Sequence, residues 1–90
     1  MKKVHSYKTQ VASDIIRDGL GVELLDETGT VVAEVFRCDR DHTIVVTTFT
    51  YDIPLQAMEQ LISLAKDRLE PFEDGVPIKD AEVPAPRLTM

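Results

Sequence analysis

Between residues 20 and 52, three short runs rich in β-branched residues are separated by two polar turns, and the runs carry apolar side chains at both odd and even positions. Successive side chains of a strand point to opposite faces, so a sheet built from these runs is oily on both sides. Such a sheet needs two covers. Only one strongly amphipathic helix follows in the chain, and that shortfall constrains the fold more than any other feature.

The first run is Leu20-Gly21-Val22-Glu23-Leu24-Leu25, and it ends at Asp26-Glu27-Thr28-Gly29, where glycine can supply the positive φ that a hairpin often needs. The second spans Thr30 to Cys38. After the charged turn Asp39-Arg40-Asp41-His42, the third runs from Thr43 to Tyr51. Three strands joined by two tight turns predict an antiparallel meander. With Leu24 opposite Val31 and Val35 opposite Val46, face one carries Leu20, Val22, Leu24, Val31, Ala33, Val35, Ile44 and Val46. Face two carries Leu25, Val32, Phe36, Val45, Phe49 and Tyr51, interrupted by Glu23, Glu34 and Thr47. A one-residue bulge in the first turn would exchange the faces of the first strand.

A helix is expected over residues 54–70. Pro54 suits its first position, because a proline there sacrifices no hydrogen bond, and Pro71 ends it. Leu55, Met58, Leu61, Ile62, Ala65 and Leu69 form the apolar stripe, with Ala57 and Leu64 at its margin. Lys66 and Arg68 sit where the helix dipole favours cations. Upstream, Ser13-Asp14-Ile15-Ile16-Arg17-Asp18-Gly19 reads as a capped helical turn or two, with a short strand as the competitor. Residues 1–12 read as an arm or an edge strand. Residues 73–90, with Pro77, Pro84 and Pro86 and little periodicity, read as a mostly disordered tail outside a single domain at 13–72.

A chain of 90 residues folds as one domain with a thin core, burying only about 60 to 65% of its unfolded surface. Self-association is a common remedy for so small a core. The net charge of −6 and a pI near 4.7 argue against nucleic acid, whose phosphates need clustered cations; Lys2, Lys3 and Lys8 form the single basic group, near a terminus. No stretch approaches the roughly eighteen apolar residues of a membrane span. One cysteine permits no internal disulfide, which fits a reducing compartment, and the expected location is cytoplasmic.

Cys38-Asp39-Arg40-Asp41-His42 gathers the most reactive side chains, and a hairpin tip could bring thiol, carboxylate and imidazole onto a metal or pair Cys38 with His42 for nucleophilic chemistry. Zinc sites want three or four ligands, and His5 is the sole other histidine, so no metal, cofactor or catalytic site is assigned. Glu23 and Glu34 fall on one face and could be cross-strand neighbours; because like carboxylates repel unless Arg17, Arg37 or another base neutralises them, the pair reads as a solvent-exposed polar strip. Gly19-Leu20-Gly21 precedes a strand rather than a helix and is no phosphate loop.

The expectation is therefore a two-layer α+β domain, a three- to four-stranded antiparallel sheet packed through face one on a single main C-terminal helix. Function is expected to be non-enzymatic: a protein-interaction module, a homodimer, whose candidate interface is Val32, Phe36, Val45, Phe49 and Tyr51 on face two or a sheet edge. The alternative is a small-ligand or metal-binding protein, or a minor enzyme, centred on the Cys38–His42 turn.

Overall fold

A computed structural model describes residues 6–83 of the chain. It contains β1 (Lys8–Asp14), β2 (Gly19–Leu25), β3 (Val31–Cys38), β4 (Thr43–Thr48), α1 (Leu55–Arg68) and a single 3₁₀ turn at Ile78–Asp80. The strands pair in sequence order, all antiparallel, as a four-stranded meander. The helix packs on one face of it. Lys2, Lys3 and His5, considered above, lie outside the described residues, as do residues 84–90.

The expected edge strand forms. β1 pairs along its whole length with β2, from Lys8 opposite Leu25 to Asp14 opposite Gly19. The helical turn expected at 13–19 does not form: Ser13 and Asp14 end β1, and residues 15–18 make the hairpin loop instead. The same local chemistry serves both outcomes, because Asp14 Oδ1 accepts the Arg17 N–H at 3.0 Å as a helix cap would. Asp18, not Gly19, takes the left-handed conformation, with φ of 55°.

The second hairpin turns through Asp26–Thr30. Gly29 adopts φ of 85° and its N–H donates to the Asp26 carbonyl at 3.0 Å, while the Asp26 N–H donates to the Thr30 carbonyl at 2.9 Å. Asp26 Oδ1 also accepts the N–H groups of Thr28 and Thr30 and the Thr28 hydroxyl. Those bonds, the Thr28 hydroxyl foremost, hold the Asp26 carboxyl below its ordinary value of 3.8.

The register corrects one detail of the faces. Leu24 lies opposite Ala33, not Val31, and Leu25 lies opposite Val31, so Val32 is an extra residue at a bulge. Val32 is buried within the helix-side cluster rather than lying on face two. The irregularity sits where two β3 residues oppose one of β2, and it spares the faces of the rest of β2. Val35 opposite Val46 stands as expected.

The core lies between face one and α1: Val22, Leu24, Ala33 and Val35 against Ala57, Leu61, Ala65 and Leu69. Burying a side chain the size of Leu61 contributes about 1.5–3 kcal/mol. Within the expected stripe the burial is rotated: Ala57, Leu61 and Ala65 are the buried line, and Leu55 is exposed. Alanines at 57 and 65 let the backbone approach the sheet closely around the fully buried Leu61. Pro54 is the residue before the first helical turn, extended at ψ of 139°, one position earlier than expected. Arg37 holds the other end, donating from Nη1 to the carbonyls of Leu69 at 3.1 Å and Pro71 at 2.9 Å. Those groups have no partner within the helix.

Residues 73–83, in the segment read as tail, fold back along the β3–β4 turn. Phe72 is buried beside them. The Glu73 N–H donates to Asp39 Oδ1 at 2.8 Å, and the Glu82 N–H donates to the His42 carbonyl at 2.7 Å.

Candidate functional site

Cys38 ends β3 and His42 ends the turn that follows, so the backbone places both at one end of the sheet. Their side chains have different partners. The buried Cys38 thiol lies 3.5 Å from the Arg17 carbonyl and 3.6 Å from Asp41 Oδ2. His42, with φ of 55°, sets Nε2 at 2.7 Å from Asp74 Oδ2 and rests its ring edge-on against Phe72, centroids 4.9 Å apart. The Val76 N–H and then this imidazole hold the Asp74 carboxyl below its ordinary range. Asp39 turns the other way, 3.0 Å from Arg37 Nε and 3.1 Å from Arg37 Nη2. The Nε contact lacks hydrogen-bond geometry, so the guanidinium is held by its Nη groups. Among the described residues no group of three or more His, Cys, Asp or Glu side chains is arranged to hold a metal ion. The turn works here as a clasp between β3, the end of α1 and residues 72–82.

Face two has a cover that its sequence does not advertise. The loop at 15–18 folds over it, and Arg17 lies with its guanidinium carbon 3.9 Å from the centroid of the Phe36 ring. Both Nη groups donate to the Glu34 carboxylate at 2.9 Å, and Nε donates to Asp14 Oδ2 at 2.6 Å. Those bonds to Glu34 and Asp14 raise the Arg17 pKa above its ordinary value. The Arg17 backbone and side chain in turn hold Asp14 low.

Glu34 is not part of a solvent-exposed strip: it is only 4% exposed, a buried carboxylate whose charge Arg17 matches. Its cross-strand neighbour is Glu23, as the pattern suggested, and Glu23 takes a separate partner, Gln10 Nε2 at 2.6 Å. The glycines make this arrangement possible. A Cβ on Gly21 would stand 2.8 Å from Glu34 Oε2, and one on Gly19 would stand 2.6 Å from Phe36 Cζ and 1.9 Å from the Arg37 carbonyl.

The five candidate interface residues therefore separate. Val32 is core and Phe36, 7% exposed, lies under Arg17, so neither is available to a partner. Val45, Phe49 and Tyr51 are exposed. The uncovered apolar surface of the sheet is at β4 rather than in the centre of face two, and Ile15 and Ile16, at the tip of the β1–β2 hairpin, are exposed as well. α1 lies chiefly over β2 and β3; at β4 Ile44 packs against the core, while Val45 is 48% exposed on face two and Val46 52% exposed on face one. Leu55 and Ile62 of the helix are exposed as well, and a groove of about 160 Å³ runs between Val46, Ile44, Ile62 and Ala65.

β4 is also an edge. Pairing places the N–H of Phe49 on the Val32 carbonyl. Alternation through the β3–β4 register then directs the backbone groups of Thr43, Val45 and Thr47 toward β3 and those of Ile44, Val46 and Thr48 outward. Among the described residues those outward groups meet no partner. The opposite edge, β1, carries Lys8, Gln10 and Asp14, the charged and polar residues with which edges are ordinarily protected.

Comparison with the models of known families, with curated proteins and with solved structures finds no match. No helix is long and apolar enough to cross a membrane among the described residues.

Proposed function

We propose that this chain is a non-enzymatic protein-interaction module that self-associates through the β4 side of its sheet. One observation carries the reading: an edge strand whose outward backbone groups from Ile44 to Thr48 meet no partner among the described residues, with half-exposed valines on both faces, Val45 and Val46. Edges of that kind template pairing unless charge, proline or a cover blocks them. Phe49, Tyr51, Leu55 and Ile62 extend the exposed apolar surface around it. The small core supplies a reason for association, because pairing adds apolar burial that one 90-residue chain lacks. Charge supplies a reason for the location. Residues 43–51 contain no ionisable group except the Tyr51 phenol, in a chain of net charge −6, so two copies meet there with the least repulsion. The single cysteine, buried and unpaired, supports a reducing, cytoplasmic setting.

Light scattering on the full chain tests the reading, with Val45→Asp and Phe49→Asp as variants at exposed sites. The wild type is expected to be a dimer at high-micromolar concentration, and both variants are expected to approach monomer mass with unchanged circular dichroism. A monomeric wild type, or variants that associate undiminished, would refute it.

A further inference from the structure

We infer that two copies join by antiparallel pairing of β4 with β4 about a two-fold axis at Val46, so that two four-stranded sheets become one of eight strands. This rests on the self-association proposed above and specifies its partner, a second copy, and its register.

The backbone sets the mode. Ile44, Val46 and Thr48 direct their N–H and C=O groups away from β3, and these are the groups an added strand needs. The open run is bounded at both ends. The His42 carbonyl already accepts the Glu82 N–H, and β4 ends at Thr48, after which the backbone bends through residues 49–51. The usable stretch is therefore Ile44–Thr48, and its centre is Val46.

A run open about its own centre is complementary to itself. With the axis at Val46, the Val46 N–H donates to the carbonyl of the partner's Val46, and the Val46 carbonyl accepts the reciprocal bond. Ile44 and Thr48 exchange bonds with the partner's Thr48 and Ile44. Every outward group from 44 to 48 is used. An axis at Val45 would instead set Thr48 against the partner's His42, whose carbonyl is occupied, and would leave Thr48 without its bond.

Side chains agree with the backbone. On face one Val46 meets the partner's Val46 beside Ile62, and Ile44 meets Thr48; on face two Val45 meets Thr47. All are β-branched pairs, which suit adjoining strands. An isologous contact of this kind closes on itself, which stops assembly at two copies.

Amide hydrogen exchange on the full-length dimer tests the register. The Ile44, Val46 and Thr48 amides are expected to exchange orders of magnitude more slowly than those of the 15–18 loop, with protection that falls on dilution. A dimer in which these three amides exchange freely overturns the strand pairing and leaves the self-association standing. A monomer overturns both. Protection at Ile44 and Val46 without Thr48 overturns the axis at Val46. Proline substitution gives a second, independent readout, because the Val46 N–H is not used within the subunit whereas the Val45 N–H is. Val46→Pro is expected to stay folded and become monomeric, and Val45→Pro to lose the β3–β4 ladder. A folded Val46→Pro that still dimerises also overturns the strand pairing.

Discussion

Arg17→Ala would leave the Glu34 carboxylate inside the sheet without the guanidinium that meets both of its oxygens. Breaking a buried ion pair by removing one partner costs about 3–5 kcal/mol, because the remaining charge is stranded. The Arg17 side chain is itself about half exposed, however, so solvent would reach the vacated position and recover part of that cost. The lost stacking on Phe36 adds about 0.5–1 kcal/mol. A net destabilisation of about 2–3.5 kcal/mol follows from discounting the ion-pair term by roughly half and adding the stacking term. For a domain of this size that lowers Tm by about 8–28 °C. The assay is thermal and urea unfolding of wild type, Arg17→Ala, Glu34→Gln and the double variant. If stranded charge is the cause, Arg17→Ala costs distinctly less in the Glu34→Gln background. A single variant within about 0.5 kcal/mol of wild type, or strict additivity in the double, would refute the assignment of Arg17 as the cover of face two.

Other predictions follow from the same geometry. Gly19→Ala should destabilise more than Gly21→Ala in urea titrations, because its added methyl meets the Arg37 backbone carbonyl at 1.9 Å while that of Gly21 meets a side-chain oxygen at 2.8 Å. Leu61→Ala should cost about 2–5 kcal/mol by urea unfolding, whereas Leu55→Ala should cost within about 0.5 kcal/mol, which checks the rotation of the helix stripe. Asp26 has its folded pKa below the ordinary 3.8, so its contribution is present above that value and is lost as pH falls through the lower folded value. The Tm of Asp26→Asn should therefore fall less steeply than that of wild type on acidification below 3.8, and parallel curves would contradict the assignment.

Much of the architecture was legible because it is written locally. The runs 20–25, 30–38 and 43–51 announce strands through β-branched composition, and Leu61, Ala65 and Leu69 announce a helix through spacing. β1 was harder, since Val11 and Ala12 are the only apolar residues from Lys8 to Asp14, and the strand exists through its pairing with β2. The Ser13–Gly19 stretch misled because an aspartate that turns a hairpin loop uses the same backbone bond as one that opens a helix.

The site was less legible than the fold. The sequence pattern reads Glu34 as part of a solvent-exposed strip, with Arg17 only one of several bases able to neutralise it. Nothing local shows that a loop seventeen residues upstream lays that arginine across Phe36. Because it does, the surplus of apolar surface moves from the middle of face two to β4, where Val45 and Val46 are left half-bare. The bulge at Val32 had no sequence signal beyond the adjacent valines, since a bulge depends on how two strands end at their turn.

The central claim is that the β4 side of the sheet is buried against a second copy of the chain. A mixed sample, half isotope-labelled and half unlabelled, examined by isotope-filtered NOE spectroscopy, addresses it most directly. Intermolecular contacts are expected from the Val45 and Val46 methyl groups and the Phe49 ring. Their absence in a sample at high-micromolar concentration, or contacts confined to Ile15 and Ile16 at the opposite hairpin, would contradict it.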